Sequence, residues 1–172
     1  MTKKIILDRR IVDDPWQLIE AGADIPADGD VIVSLAAWQA RAAEPALRHG
    51  RVGVWLRPDD EPGALADDTA TLPVIAVQFP QFADGRGYSI ARLLRERYGF
   101  KGELRAFGDV LRDQLFYLHR VGFNAFAIKP GKSIEDALGA FGDFSDAYQS
   151  AVDQPAPHYR RRVAAVDDGP TA

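Results

Sequence analysis

Between Phe79 and Ile128 two strand–loop–helix units follow one another, and their connections are too long for hairpins. Parallel strands need crossovers of this length, so the alternation predicts mainly parallel βα units. Residues 73–79 (PVIAVQF) form a nearly continuous apolar run, as in a strand covered on both faces. Ile90, Leu93, Leu94 and Tyr98 then recur at helical spacing, with Arg92, Arg95, Glu96 and Arg97 on the other faces. Ser89 or Asp84 is placed to cap this helix, and Gly99 to stop it. Residues 104–107 read as the next strand. Asp109 is placed to cap a second helix with Val110, Leu111, Leu115 and Leu118 on its apolar face, closed by Gly122. Residues 123–128 complete the run as a strand.

The same grammar extends on both sides. Residues 3–7 (KKIIL) and 10–12 suit a short strand or hairpin, residues 31–35 (VIVSL) a buried strand, and residues 51–56 (RVGVWL) another. Trp16, Leu18 and Ile19 read as local packing and 22–30 as loop. Residues 38–49 suit a helix with Pro45 in its first turn, and 58–70 a loop with at most one helical turn. Ser133 and Asp136 open a last helix carrying Ile134, Ala137, Leu138 and Phe141. The expected fold is a single α/β domain over residues 1–149, with 150–172 as a flexible C-terminal tail. Five interior strands are too few for a complete eight-stranded barrel. They fit either an open three-layer sheet or a partial (half) TIM-barrel-like arrangement.

Composition removes several functions. There is no cysteine among the 172 residues, so thiol catalysis, disulfides and cysteine-ligated clusters are excluded. The three histidines lie at least 39 residues apart, and no metal-binding pattern joins them; a metal site is not expected. A formal charge of -4 gives no reason to expect nucleic acid or membrane as a partner. The early charges of MTKKIILDRR do not suit a signal peptide, and the expected location is cytoplasmic. The charge is unevenly spread: residues 84–132 hold ten Lys or Arg against five Asp or Glu. That excess suggests an anion-facing or partner-facing surface, against the simpler reading of a solvated helix face.

Both loops of the tandem units sit where a strand hands over to a helix, the usual place for a site in α/β proteins. In the first, Gly85, Arg86, Gly87, Tyr88 and Ser89 could cradle an anion, with backbone N–H groups and Arg86 supplying the positive field. The alternative is that Asp84 and Arg86 pair with each other and the glycines only shape the turn. In the second, Gly108 and Asp109 stand beside Arg105, and Arg105, Asp109, Arg112 and Asp113 have the spacing of a buried ion network. Asp84 and Asp109 are the candidate acid–base residues, with capping the competing role of Asp109. Phe82 and Tyr88 flank the glycine loop and are the aromatics least accounted for by core packing. No nucleotide fingerprint is present, so no intrinsic cofactor is evident, and flavin or nicotinamide would bind without a recognisable motif. Any redox role needs a bound cofactor or a partner enzyme.

The run FPQFADGRGYSIARLLRERYGFKGELRAFGDVLRDQLFYLHRVGFNAF resembles a bacterial family of unknown function, DUF934. Its long DGR-YS, LLRER-G, GELRA-GDVLRDQ pattern is far more specific than any single glycine, and residues 79–128 carry it most strongly. Lysine is common in the family at the place of Gln81, and aspartate at that of Asn124. The resemblance implies an oxidoreductase label and an association with assimilatory sulfate reduction, through genes beside those of sulfite reductase and phosphoadenylylsulfate reductase. Three functions follow as expectations. The first is an accessory protein that assists sulfite reductase, or another sulfate-assimilation enzyme, through an anion- or partner-binding face. The second is an enzyme binding a phosphorylated ligand or flavin at the strand ends, and the third a non-catalytic homodimer.

Overall fold

The computed structural model describes residues 3–40, 49–144 and 147–161. Eight strands form one sheet: β1 (Lys4–Leu7), β2 (Arg10–Asp13), β3 (Trp16–Leu18), β4 (Asp30–Ser34), β5 (Val52–Leu56), β6 (Val74–Phe79), β7 (Glu103–Gly108) and β8 (Ala125–Phe126), in the order β2-β1-β8-β7-β6-β5-β4-β3. From β8 through β3 every neighbouring pair is parallel, while β1 joins β2 and β8 in antiparallel fashion. The helices are α1 (Leu35–Gln39), α2 (Arg86–Glu96), α3 (Leu115–Arg120) and α4 (Ile134–Gly139).

The sheet is curled into an open half-barrel, which decides between the two expected arrangements. Its two faces differ. The outer face packs Val54, Leu56, Ile75, Val77, Leu104 and Phe126 against Ile90, Leu94, Leu118 and Ala137 of α2, α3 and α4. The inner face is filled by Ile5, Trp16, Ile32, Trp55, Val74, Ala76, Phe107 and Ala127, all from strands or the residue after one. Trp16 lies on the last strand of the order and Ile5 on the second, yet they share this cluster. The chain leaves β2 at one end of the order and enters β3 at the other through two residues, Asp14 and Pro15. Three Cα steps span at most about 11 Å, so the opposite edges must approach at that corner. Curling also explains the residue sizes: Ala76 lies in register with Trp55, and over this small residue Trp55 meets Phe107 edge-on at 5.9 Å.

Several expectations change in detail. Trp16–Leu18 is a strand paired with β4. A run of three residues carries too little periodicity to reveal that. The 58–70 loop has one 3-10 turn at Pro62–Leu65, as expected. Helix α2 begins at Arg86 with Gly85 as N-cap, so Ser89 sits inside it. Its buried stripe is Gly87, Ile90, Ala91 and Leu94, a helical i, i+3, i+4, i+7 pattern that turns Leu93 outward. Ser133 caps α4, accepting from Asp136 N–H at 3.1 Å. Of the helix expected at 38–49, Trp38 and Gln39 belong to α1, which starts earlier, at Leu35, and has Ala40 as its C-cap, and 41–48 lie outside the described residues. Of the tail expected to be flexible, 162–172 also lie outside them. Residues 147–161 sit against α3, where Val152 N–H donates to the Arg120 carbonyl at 3.0 Å.

Candidate functional site

The parallel strands deliver their following loops to one end of the sheet. Asp59 follows β5, residues 80–85 follow β6, Asp109 follows β7 and Lys129 follows β8. Gly108 makes the tightest of these turns. Its φ is +102°, and a Cβ there would lie 2.3 Å from the Phe79 carbonyl oxygen. The approach lets Asp109 N–H donate to that oxygen at 2.7 Å, extending the β6–β7 ladder by one bond. The Asp109 carboxylate then accepts from Phe82 N–H at 3.2 Å and pairs with Lys129 at 2.7 Å. Asp109 is therefore a clamp between loops, and the helix cap expected of it does not form. A 3-10 turn at Arg112–Gln114 intervenes before α3, where Leu111 N–H donates to Gln114 Oε1 at 2.9 Å.

The glycine loop is internally paired. Asp84 accepts from Arg86 N–H at 3.2 Å, from Nε at 3.0 Å and from a terminal nitrogen at 2.7 Å. The other terminal nitrogen of Arg86 donates to Asp59. Every guanidinium nitrogen thus already serves a carboxylate, and an incoming anion must compete with two of them. Gly87 has a packing reason: a Cβ would fall 2.5 Å from the Phe79 ring, which α2 approaches closely. Tyr88 packs its half-buried ring on Phe79 and Tyr117, at 5.5 and 5.2 Å between centroids, and burial raises its pKa. Ser89 is exposed on α2 and touches a shallow depression shared with Arg92, Leu93, Glu96 and Arg97.

Electrostatics disfavour proton transfer at the candidate carboxylates. The Arg86 guanidinium holds Asp84 below the ordinary carboxylate range, and the Lys129 ammonium does the same for Asp109. A general acid at neutral pH needs the opposite displacement. Arg105 stands apart from this face. It lies in the first half of β7, buried inside the half-barrel, where its two terminal nitrogens reach the two Asp14 oxygens at 3.0 Å each and Nε reaches Glu103 at 2.7 Å. Arg112 instead pairs with Asp143 at 2.8 Å, so the expected Arg105–Asp109–Arg112 network does not exist. Among the described residues no group of three or more His, Asp or Glu could hold a metal ion, and no helix is long and apolar enough to cross a membrane.

What the loops present outward is Phe82. Its N–H is held by Asp109 and its carbonyl by Gln114 Nε2 at 3.4 Å, while its side chain is 50% exposed. Tyr117 is exposed as well, against the Tyr88 ring. Phe82 and Tyr88 were singled out from the sequence, but Asp59 and Lys129 were not. Their signal was positional, since each follows a strand of the same parallel set.

The fold and this face define an α/β half-barrel protein whose strand-end loops are locked by ion pairs around an exposed aromatic. The chain belongs to the DUF934 family: the model for bacterial proteins of unknown function (DUF934) matches residues 53–159. No curated protein and no solved structure matches the chain.

Proposed function

We propose that this protein is an accessory factor in assimilatory sulfite reduction, docking on sulfite reductase or another enzyme of sulfate assimilation through the loop face around Phe82. The carrying observation is the state of that residue. Both its backbone groups are fixed by Asp109 and Gln114 while its ring stays in solvent. A pre-positioned aromatic anchor loses little entropy on association, and residues of this kind dominate binding energy at interfaces. The surrounding charges, Arg86 with Asp84 and Asp59, and Asp109 with Lys129, are compensated within the chain. They suit a polar rim better than a catalytic pair. The pathway is supported by the gene association that the family resemblance implies.

Deletion of the gene tests the pathway. Cells lacking the protein are expected to grow on sulfide but to grow poorly on sulfate and on sulfite. Equal growth on all three removes the protein from this route. Docking is tested by Phe82→Ala, read by co-purification and by titration against the reductase. The variant is expected to keep its melting temperature and to lose at least ten-fold in affinity, about 1.4 kcal/mol or more. Arg86→Ala is expected to weaken association less, and more visibly at low salt than at high salt. Full complementation by both variants places the site elsewhere.

A further inference from the structure

The hairpin turn between β1 and β2 is bent against residue preference. Asp8 and Arg9 hold φ of +47° and +60° without being glycine. The turn is locked by Asp8 N–H donating to the Asn124 carbonyl at 2.9 Å and by Asn124 Nδ2 donating to Asp8 at 3.1 Å. Backbone strain of this kind persists where the surroundings impose it, and it aims side chains. Here it sends Arg9 over α3. A terminal nitrogen of Arg9 lies 3.0 Å from His119 Nε2, and its Cζ lies 5.6 Å from the centre of the Phe141 ring. Arg51, Arg86, Arg105 and Arg112 each have a carboxylate partner. Arg95 serves neutral oxygens, and Arg9 a neutral ring nitrogen.

The neutrality of His119 follows from its contacts. The Phe123 carbonyl, 3.2 Å from Nδ1, can only accept, so Nδ1 carries the proton. Arg9 can only donate, so Nε2 offers its lone pair. Burial, with the nearby Arg9 charge, holds His119 below its ordinary pKa. Beside this pair opens a cavity of about 500 Å³, whose lining joins Phe116, Phe141 and Phe144 to the polar side chains of Asp153, Gln154 and Arg161. Phe116 and Phe144 meet at a tilt of 45°, 4.7 Å between centroids, and Phe141 meets the His119 ring edge-on at 5.7 Å. The volume is that of a small-molecule site.

We propose that this cavity binds a small organic carboxylate with a flat apolar body, its carboxylate between Arg9 and His119 and its ring against Phe116, Phe141 and Phe144. The guanidinium fork of Arg9 matches a carboxylate. Once His119 is protonated, it and Arg9 become two donors facing each other, and an acceptor between them satisfies both. Binding therefore draws a proton onto His119 and strengthens as pH falls. Around the imidazole, Asp8 on the turn and Asp153 on the C-terminal segment favour the charged ring, and Arg9 opposes it. In the cavity lining Arg161 adds a second guanidinium and Asp153 a carboxylate. The bound anion offsets the Arg9 charge.

The test uses the whole chain and benzoate, followed through the His119 ring resonances. Saturable shifts are expected, with affinity about ten-fold above that for acetate and higher near about pH 6 than near about pH 8. Arg9→Gly removes the guanidinium at a backbone angle glycine prefers, so the fold should hold while benzoate affinity drops at least ten-fold. Phe144→Ala, at an exposed ring, is expected to erase the preference for benzoate over acetate. Equal responses to benzoate and acetate, a response to inorganic sulfate alone, or unchanged benzoate binding by Arg9→Gly each overturns the proposal. None of these outcomes bears on docking through Phe82.

Discussion

Replacing Arg105 with alanine is expected to lower the unfolding free energy by about 3–5 kcal/mol, a large fraction of what a single domain possesses. The Asp14 carboxylate is fully buried, and Arg105 is its bidentate partner. After the substitution Asp14 keeps only Trp16 N–H at 3.1 Å and the distant Lys3 ammonium at 3.9 Å. Glu103 suffers too, because burial already raises its pKa against the opposing pull of Arg105. The loss should appear as a lower urea midpoint with an unchanged slope. Pairing Arg105→Leu with Asp14→Asn is expected to recover part of it, since the asparagine still accepts from Trp16 and the fully buried Asp14 charge is gone, while Glu103 still lacks its partner. If Arg105→Ala unfolds at the same urea concentration as the parent, the pair is not holding β7 to the β2–β3 corner.

The second large effect is expected at Gly108→Ala. The new Cβ would meet a backbone oxygen at 2.3 Å, and at φ +102° no rotamer choice relieves it. The strain and the clash each cost about 1–3 kcal/mol. The strand ends must separate, which breaks the bond from Asp109 N–H to Phe79 and releases the carboxylate that holds Phe82. Partner association should then fall further than in Phe82→Ala, together with the melting temperature. Gly85→Ala is the control, because its Cβ would meet nothing within 4 Å. A Gly108→Ala variant as stable as Gly85→Ala would show that the turn tolerates a side chain.

Much of the architecture was legible because parallel strands buried on both faces announce themselves as apolar runs, and 73–79 is the plainest. The short edge strand β3 was not, since three residues with Gln17 between two apolar neighbours look like any loop. Loop positions were legible where a strand meets a helix. Partners were not: Arg105 lies in the same segment as Asp109 but bonds Asp14, 91 residues away. Spacing along a chain says which residues are near in sequence, and curling of the sheet decides which face they share. Leu93 failed for a related reason. The apolar stripe could run through Leu93 or Ala91, and α2 packs with Gly87 against the Phe79 ring and buries Ala91.

The N-terminal hairpin carries a consequence for synthesis. Strand β1 leaves the ribosome before the other strands of the sheet, but Ile6 pairs with Phe126, 120 residues later. At about 5–20 residues per second the hairpin waits roughly 6–24 s for its sheet partner. Throughout that wait Ile5 and Ile6 have no β8 to pair with and are open to joining a wrong edge. Lys3 and Lys4 before them, and Arg9 and Arg10 after them, are the charges that resist such pairing on the nascent chain.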